Sequence, residues 1–191
     1  MGAERTDEEL MLAYRDGDAD AFETLYRRHR GGLFRYFLRQ CGNAGVAEEL
    51  YQDVWMKLIR ARERYAVKAR FSTYLYHLAH NRLVDHYRRQ GHAPPASYES
   101  ADPEAAAIPA ADCDGPETRA ALNRQAQAIL AQIQALPGAQ REAFLLKEEA
   151  GLSLDEIARV TGVNKETAKS RLRYAVQRLR RTLTREGIQM I

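Results

Sequence analysis

An all-α fold is predicted, with two small helical domains joined by a flexible acidic linker and a helix-turn-helix in the C-terminal domain. Three observations predict it. Apolar residues recur at helical spacing through nearly every segment, and no alternating strand run stands out. That period disappears across 93–118, where Pro, Ala and acids dominate, a composition that reads as a linker and not as a core element. It returns beyond, where 152–175 carry helix-turn-helix spacing. The expected units are 1–92, the linker 93–118, and 119–191.

The chain has 191 residues, 45% hydrophobic and 29% charged, with a mean hydropathy of −0.54, long enough for one ordinary domain or two small ones. No run approaches the roughly 18 apolar residues of a membrane span, and the opening "MGAERTDEEL" is acidic with no apolar stretch, unlike a signal peptide. Gly2 with Thr6 fits the bare myristoylation pattern, which such short matches meet by chance. Cys41 and Cys113 have no CxxC partner, so a reducing compartment, the cytoplasm, is expected.

A formal net charge of +3 conceals a block pattern. Residues 1–25 hold eight acids against two bases, and 57–92 hold nine bases against two acids. Residues 93–118 hold six acids and no base, and 159–185 hold nine bases against Glu166 alone. Two basic blocks flanking an acidic spacer suggest two contacts with a polyanion.

Taken in order, Thr6 and Glu9 have capping-box spacing, so a helix should run to about Arg15 and stop at Gly17. The next, about Ala19 to Gln40, has Phe22, Leu25, Tyr26, Leu33, Tyr36 and Phe37 as its stripe. Gly31-Gly32 inside it weakens it by about 1 kcal/mol per glycine, which makes this the place where the helix could kink or break. "GVAEELYQDVWMKLIRARERY" places Leu50, Val54 and Leu58 on one side and Glu49, Gln52, Asp53 and Lys57 on another. "RFSTYLYHLAHNRLVDHYRR" buries Leu75, Leu78, Ala79 and Leu83, ends near Gly91, and gathers Tyr74, His77, Asn81 and Arg88 on a different face. Aromatics stack on unpaired bases, an amide reads a base edge, and arginine holds phosphate, so this face suits melted DNA. From Thr118, Leu122, Ala126, Ile129, Ile133 and Leu136 mark a helix; Pro137-Gly138 breaks it before another at about 140–149.

"LSLDEIARVTGVNKETAKSRLRYA", residues 152–175, is the most specific segment. Ser153 and Glu156 form a second capping box. Ala158 is small where a second helix passes, Gly162 suits a left-handed turn, and Asn164 can cap the next helix. Ile157, Val163, Ala168 and Leu172 supply the shared core, and Lys165, Lys169, Ser170, Arg171 and Arg173 are donors suited to a major groove. A scaffold hairpin with a basic solvated face is the plainer alternative; an autonomous operator-binding dimer is another. His77 and His80 could both touch a metal, with His86 farther along. No Cys or Glu lies at a matching offset, so no metal or cofactor is expected. No nucleophile–base grouping marks an enzyme.

The chain resembles bacterial sigma-70 family RNA polymerase sigma factors of the short extracytoplasmic-function (ECF) group. "AFETLYRRHRGGLFRYFLRQ", "AEELYQDVWMKLIR" and "FSTYLYHLAHNRLVDHYRR" resemble region 2; "LPGAQREAFLLKEEAGLSLDEIARVTGVNKETAKSRLRYAVQRLR" is similar to region 4. The resemblance implies a non-enzymatic initiation factor whose partners are core RNA polymerase, promoter DNA and an anti-sigma factor, which can be membrane-anchored although the chain itself is not. It assigns core docking to Glu49, Gln52, Asp53 and Trp55. Capture of −10 bases falls to Tyr74, His77 and Asn81, with Arg88 and Arg89 on phosphate. The −35 element falls to Lys165, Thr167, Lys169, Ser170, Arg171 and Arg173. Tyr74 stands where many relatives have Trp, and Tyr174 where a basic residue is frequent.

Overall fold

The computed structural model describes residues 4–91 and 118–185. The expected linker lies outside the described residues apart from Thr118. Among them run eight α-helices: α1 (Asp7–Arg15), α2 (Ala19–Cys41), α3 (Ala44–Ala61), α4 (Phe71–Arg89), α5 (Thr118–Gln134), α6 (Gly138–Glu148), α7 (Leu154–Thr161) and α8 (Lys165–Arg185). A single 3-10 turn, Arg62–Arg64, follows α3.

The N-terminal helices start where side chains satisfy their first amides. Thr6 Oγ1 accepts from Glu9 N–H at 3.2 Å while Glu9 accepts from Thr6 N–H at 2.8 Å, the reciprocal box expected at α1. Asp18 caps α2 and Asn43 caps α3 by the one-way bond, their side chains accepting from Ala21 N–H and Val46 N–H at 3.1 Å each. Met11, Leu25, Leu33, Phe37, Leu50, Val54, Leu58, Leu75, Ala79 and Leu83 close a core among α1–α4, so the predicted stripes face inward. In the C-terminal half, Ile133 and Leu136 meet Leu145, Leu146, Ile157, Ala168, Ala175 and Leu179. α6 starts at Gly138, two residues before the predicted Gln140, directly after Pro137.

The predicted second helix forms as a single element. α2 passes through Gly31-Gly32 without a break. Leu33, Tyr36 and Phe37, all fully buried, anchor the following turns, and packing outweighs the local propensity cost. Gly32 also has a tertiary use. A Cβ there would lie 3.0 Å from the Glu149 carbonyl oxygen and 3.1 Å from the Tyr76 hydroxyl. The missing side chain is what admits the end of α6 to the surface of α2.

That approach belongs to a larger feature which the sequence pattern did not announce. α6 packs on α2 and α7 on α4, so the two halves share one continuous hydrophobic cluster.

Candidate nucleic-acid interface

The helix-turn-helix is assembled by its caps. Ser153 Oγ accepts from Glu156 N–H at 3.3 Å, and Glu156 accepts from Ser153 N–H at 2.8 Å. α7 ends at Gly162 with φ +68°, a left-handed residue that returns the chain through Val163 N–H to the Ala158 carbonyl at 3.0 Å. Asn164 Oδ1 then accepts from Thr167 N–H at 2.8 Å and starts α8. Ala168 and Ala175 turn inward, leaving Lys165, Lys169 and Arg173 exposed, with Thr167, Ser170 and Arg171 partly so. Lys165 lies 2.8 Å from Asp155 and Lys169 3.8 Å from Glu166, pairs exposed enough for phosphate to displace. Tyr174 is 49% exposed, with the Arg173 guanidinium 5.1 Å from its ring centre.

On α4 the second predicted surface holds together at His77, Arg88 and Arg89, which are exposed, and Asn81, which is half-buried. Tyr74 is half-buried at its border, its ring 5.4 Å from Tyr65 and 6.5 Å from Phe71. His80 points to the opposite side and is buried, 2.6 Å from Glu142. The two histidines therefore diverge, and no cluster of metal-ligating side chains forms among the described residues.

The third surface is on α3. Glu49, Gln52 and Asp53 are exposed as expected. Arg82 of α4 holds two of them, 2.6 Å from Asp53 and 3.1 Å from Glu49. Trp55 is the correction here. It is 5% exposed, with its ring 5.0 Å from Tyr26 and 5.9 Å from Phe22. An indole surrounded by rings supports the face from beneath and offers a partner almost no area. Met56, 46% exposed, is the apolar side chain this side presents. It borders an open groove of about 590 Å³ lined also by Asp53, Lys57, Arg60, Arg64 and Arg82. Sequence reasoning missed Met56, although an exposed methionine between Asp53 and Lys57 was readable on the helical wheel. Nothing in one dimension pairs Arg82 with α3.

Comparisons with known proteins bear on both halves of the chain. Residues 25–93 match the Sigma-70 region 2 family profile and residues 126–179 the Sigma-70, region 4 profile. The RNA polymerase sigma factor CarQ of Myxococcus xanthus is 33% identical over 174 residues, 91% of this chain and 95% of that one. The ECF RNA polymerase sigma factor SigM of Mycobacterium tuberculosis is 32% identical over 94% of this chain and 86% of its own. The RNA polymerase sigma-H factor of Pseudomonas aeruginosa is 30% identical over 98% of this chain and 100% of its own. The fold is that of CnrH, solved with the cytosolic domain of CnrY, at TM-score 0.65 and 20% identity over 93% of this chain and 97% of that one. RpoE of Bartonella quintana, solved with the anti-sigma factor NepR, matches at TM-score 0.65 and 22% identity over 85% of this chain and 96% of that one. With both region profiles matched in order and relatives aligned end to end, this chain belongs to the sigma-70 family of RNA polymerase sigma factors, in its extracytoplasmic-function group.

Proposed function

We propose that this sigma factor directs core RNA polymerase to promoters by dividing the work among its three surfaces. Residues 1–92 act as region 2 and 119–191 as region 4, joined by 93–118. Glu49, Gln52 and Asp53 dock on core polymerase, steadied by Arg82. α8 enters the major groove of the −35 element with Lys165, Thr167, Lys169, Ser170, Arg171 and Arg173. Tyr74, His77 and Asn81 take up unpaired −10 bases, and Arg88 and Arg89 hold the adjacent phosphates. The carrying observation is the capped helix-turn-helix, whose second helix buries its alanines and turns its bases outward. An anti-sigma factor controls the chain; RpoE of Bartonella quintana was solved with one, NepR, which supports that reading. The chain acts in the cytoplasm, where the polymerase is; no helix among the described residues is long and apolar enough to cross a membrane.

The test is transcription in vitro with sigma-free core polymerase on a promoter library. Transcripts that need both components, sharing upstream elements, are expected. No transcripts, with direct binding of duplex DNA by the chain alone, would favour an autonomous regulator instead.

A further inference from the structure

α8 carries one side chain that charge and hydrogen bonding to a promoter leave unexplained. Ala168, Ala175 and Leu179 turn into the core, and the opposite side is polar, with Lys169, Ser170, Arg173 and Gln177. Tyr174 interrupts that polar side. Its ring is half out of the protein, the one large apolar side chain that α8 exposes among the described residues. It stands outside the hydrophobic cluster that its neighbours Leu172 and Ala175 join.

A lone exposed aromatic is common on protein surfaces and means nothing by itself. Two relations set this one apart. Consecutive helical residues do not face each other, yet the Arg173 guanidinium is drawn over the Tyr174 ring, 5.1 Å from its centre, with Nη2 3.5 Å from the hydroxyl. The cation covers one face of the ring and steadies it, leaving the other face and the edge open. Tyr174 also follows Ser170 by four residues, so the two lie on the same side of α8, one turn apart. At about 1.5 Å of rise per residue they are separated by roughly 6 Å, close to two base-pair steps.

The chemistry of the ring picks out its partner. Major-groove edges present acceptors and donors at every pair but a single kind of apolar group, the C5 methyl of thymine. Among the exposed side chains of α8, Tyr174 has the large apolar face to set against it. Phosphate is the poorer match, because a phenol carries no positive charge and this hydroxyl already faces Arg173.

We infer that Tyr174 is a specificity-determining residue of this sigma factor, its ring packing on the C5 methyl of a thymine in the −35 element. This rests on the proposed reading of α8 as the −35 helix. The lysines and arginines around it set affinity for any duplex; Tyr174 adds a choice of base.

The test uses holoenzyme and duplexes carrying the −35 element recovered from the promoter library. Each thymine on either strand is replaced in turn by deoxyuridine, which lacks the methyl and keeps every hydrogen-bonding group of the base. Wild type should lose affinity about threefold or more at one position, the scale of a single buried methyl. Tyr174→Phe, which keeps the ring, should show the same loss at the same position. Tyr174→Ala should bind the thymine duplex about threefold or more weakly than wild type and respond no further to removal of that methyl. Circular dichroism should show wild-type helicity for both variants, as an exposed site allows. Wild type indifferent to deoxyuridine at every position would overturn the inference, as would Tyr174→Ala that keeps its sensitivity to the methyl. Tyr174→Phe weakened as much as Tyr174→Ala would overturn it too, by giving the role to the hydroxyl. Failure of the promoter reading is separable: exchange of whole base pairs in the −35 element reports whether α8 reads it at all, whereas deoxyuridine reports the methyl alone.

Discussion

His80 of α4 and Glu142 of α6, 62 residues apart in the chain, meet at 2.6 Å across the two halves. Burial pushes the His80 pKa down, but the hydrogen bond and charge of Glu142 outweigh it, and the net direction is up. Tyr36 shares the carboxylate, with Tyr76 and Cys41 beside it. Burial above all pushes these three up, Cys41 to about 12, so none exchanges a proton near neutrality. A His pKa raised by this contact stabilises the contact fully below the free value of about 6.5, and the stabilisation is lost as pH rises through the raised value. Acidification from pH 8 to pH 6 should therefore compact the chain, as read by scattering. His80→Gln should flatten this response; an unchanged response would assign it to other groups.

Trp55 separates docking from folding. Trp55→Ala should cost about 3–5 kcal/mol of stability, the usual range for deleting a buried aromatic. Glu49→Lys, at a side chain 64% exposed, should cost under about 1 kcal/mol because its tie to Arg82 is screened. It should nevertheless weaken core binding at least tenfold. Denaturant unfolding and a core-binding titration on the same samples check both. Stable Trp55→Ala protein with lost core binding would return Trp55 to the docking surface.

The helical stripes, the caps at Thr6 and Ser153 and the turn at Gly162 were legible because each depends on residues within a few positions of one another. What stayed illegible depends on partners far along the chain. Trp55 reads as a surface aromatic on α3 until Phe22 and Tyr26 of α2 enclose it. Arg82 counts toward a basic block until Asp53 and Glu49 claim it. Gly32 looks like a flaw in α2 until the end of α6 arrives. Periodicity tells which face is buried and is silent about what buries it.

Gly162 should show a purely conformational cost. A Cβ there meets nothing within 4 Å, so Gly162→Ala introduces no collision, only a side chain at φ +68°. The expected loss is about 1–2 kcal/mol, measured by thermal unfolding. Affinity for −35 duplex should fall with it, because this residue sets the angle at which α8 leaves α7. Ser153→Ala should cost about 1 kcal/mol through the lost cap. A Gly162→Ala chain as stable as the wild type would mean that the turn relaxes at no cost.

Salt dependence should sort the bases of α8. If Lys169 neutralises one phosphate, Lys169→Ala lowers the slope of log affinity against log salt by about 0.9 and weakens all sequences alike. Arg173, if it reads a base edge, should instead cost about 1–3 kcal/mol on the preferred −35 sequence and little on others. Titrations of holoenzyme on matched and mismatched duplexes at several salt concentrations distinguish the two. A slope unchanged by Lys169→Ala would remove that residue from the phosphate contacts.

His77 and Asn81 lie on the side of α4 turned away from Leu75, Ala79 and Leu83, so replacing them should leave folding within about 0.5 kcal/mol of wild type. His77→Ala and Asn81→Ala should both keep core affinity and slow open-complex formation. Extracting a stacked base costs a few kcal/mol, which a binding face must offset. A template already unpaired across the −10 element removes that cost while keeping the bases to be held. If the residues serve mainly to drive melting, the unpaired template should restore the variants to wild-type rates. If they hold the flipped bases, a defect should persist there, larger for Asn81 because its amide can read a base edge where His77 chiefly stacks. Wild-type open-complex formation on fully paired promoters by both variants would remove this face of α4 from promoter opening.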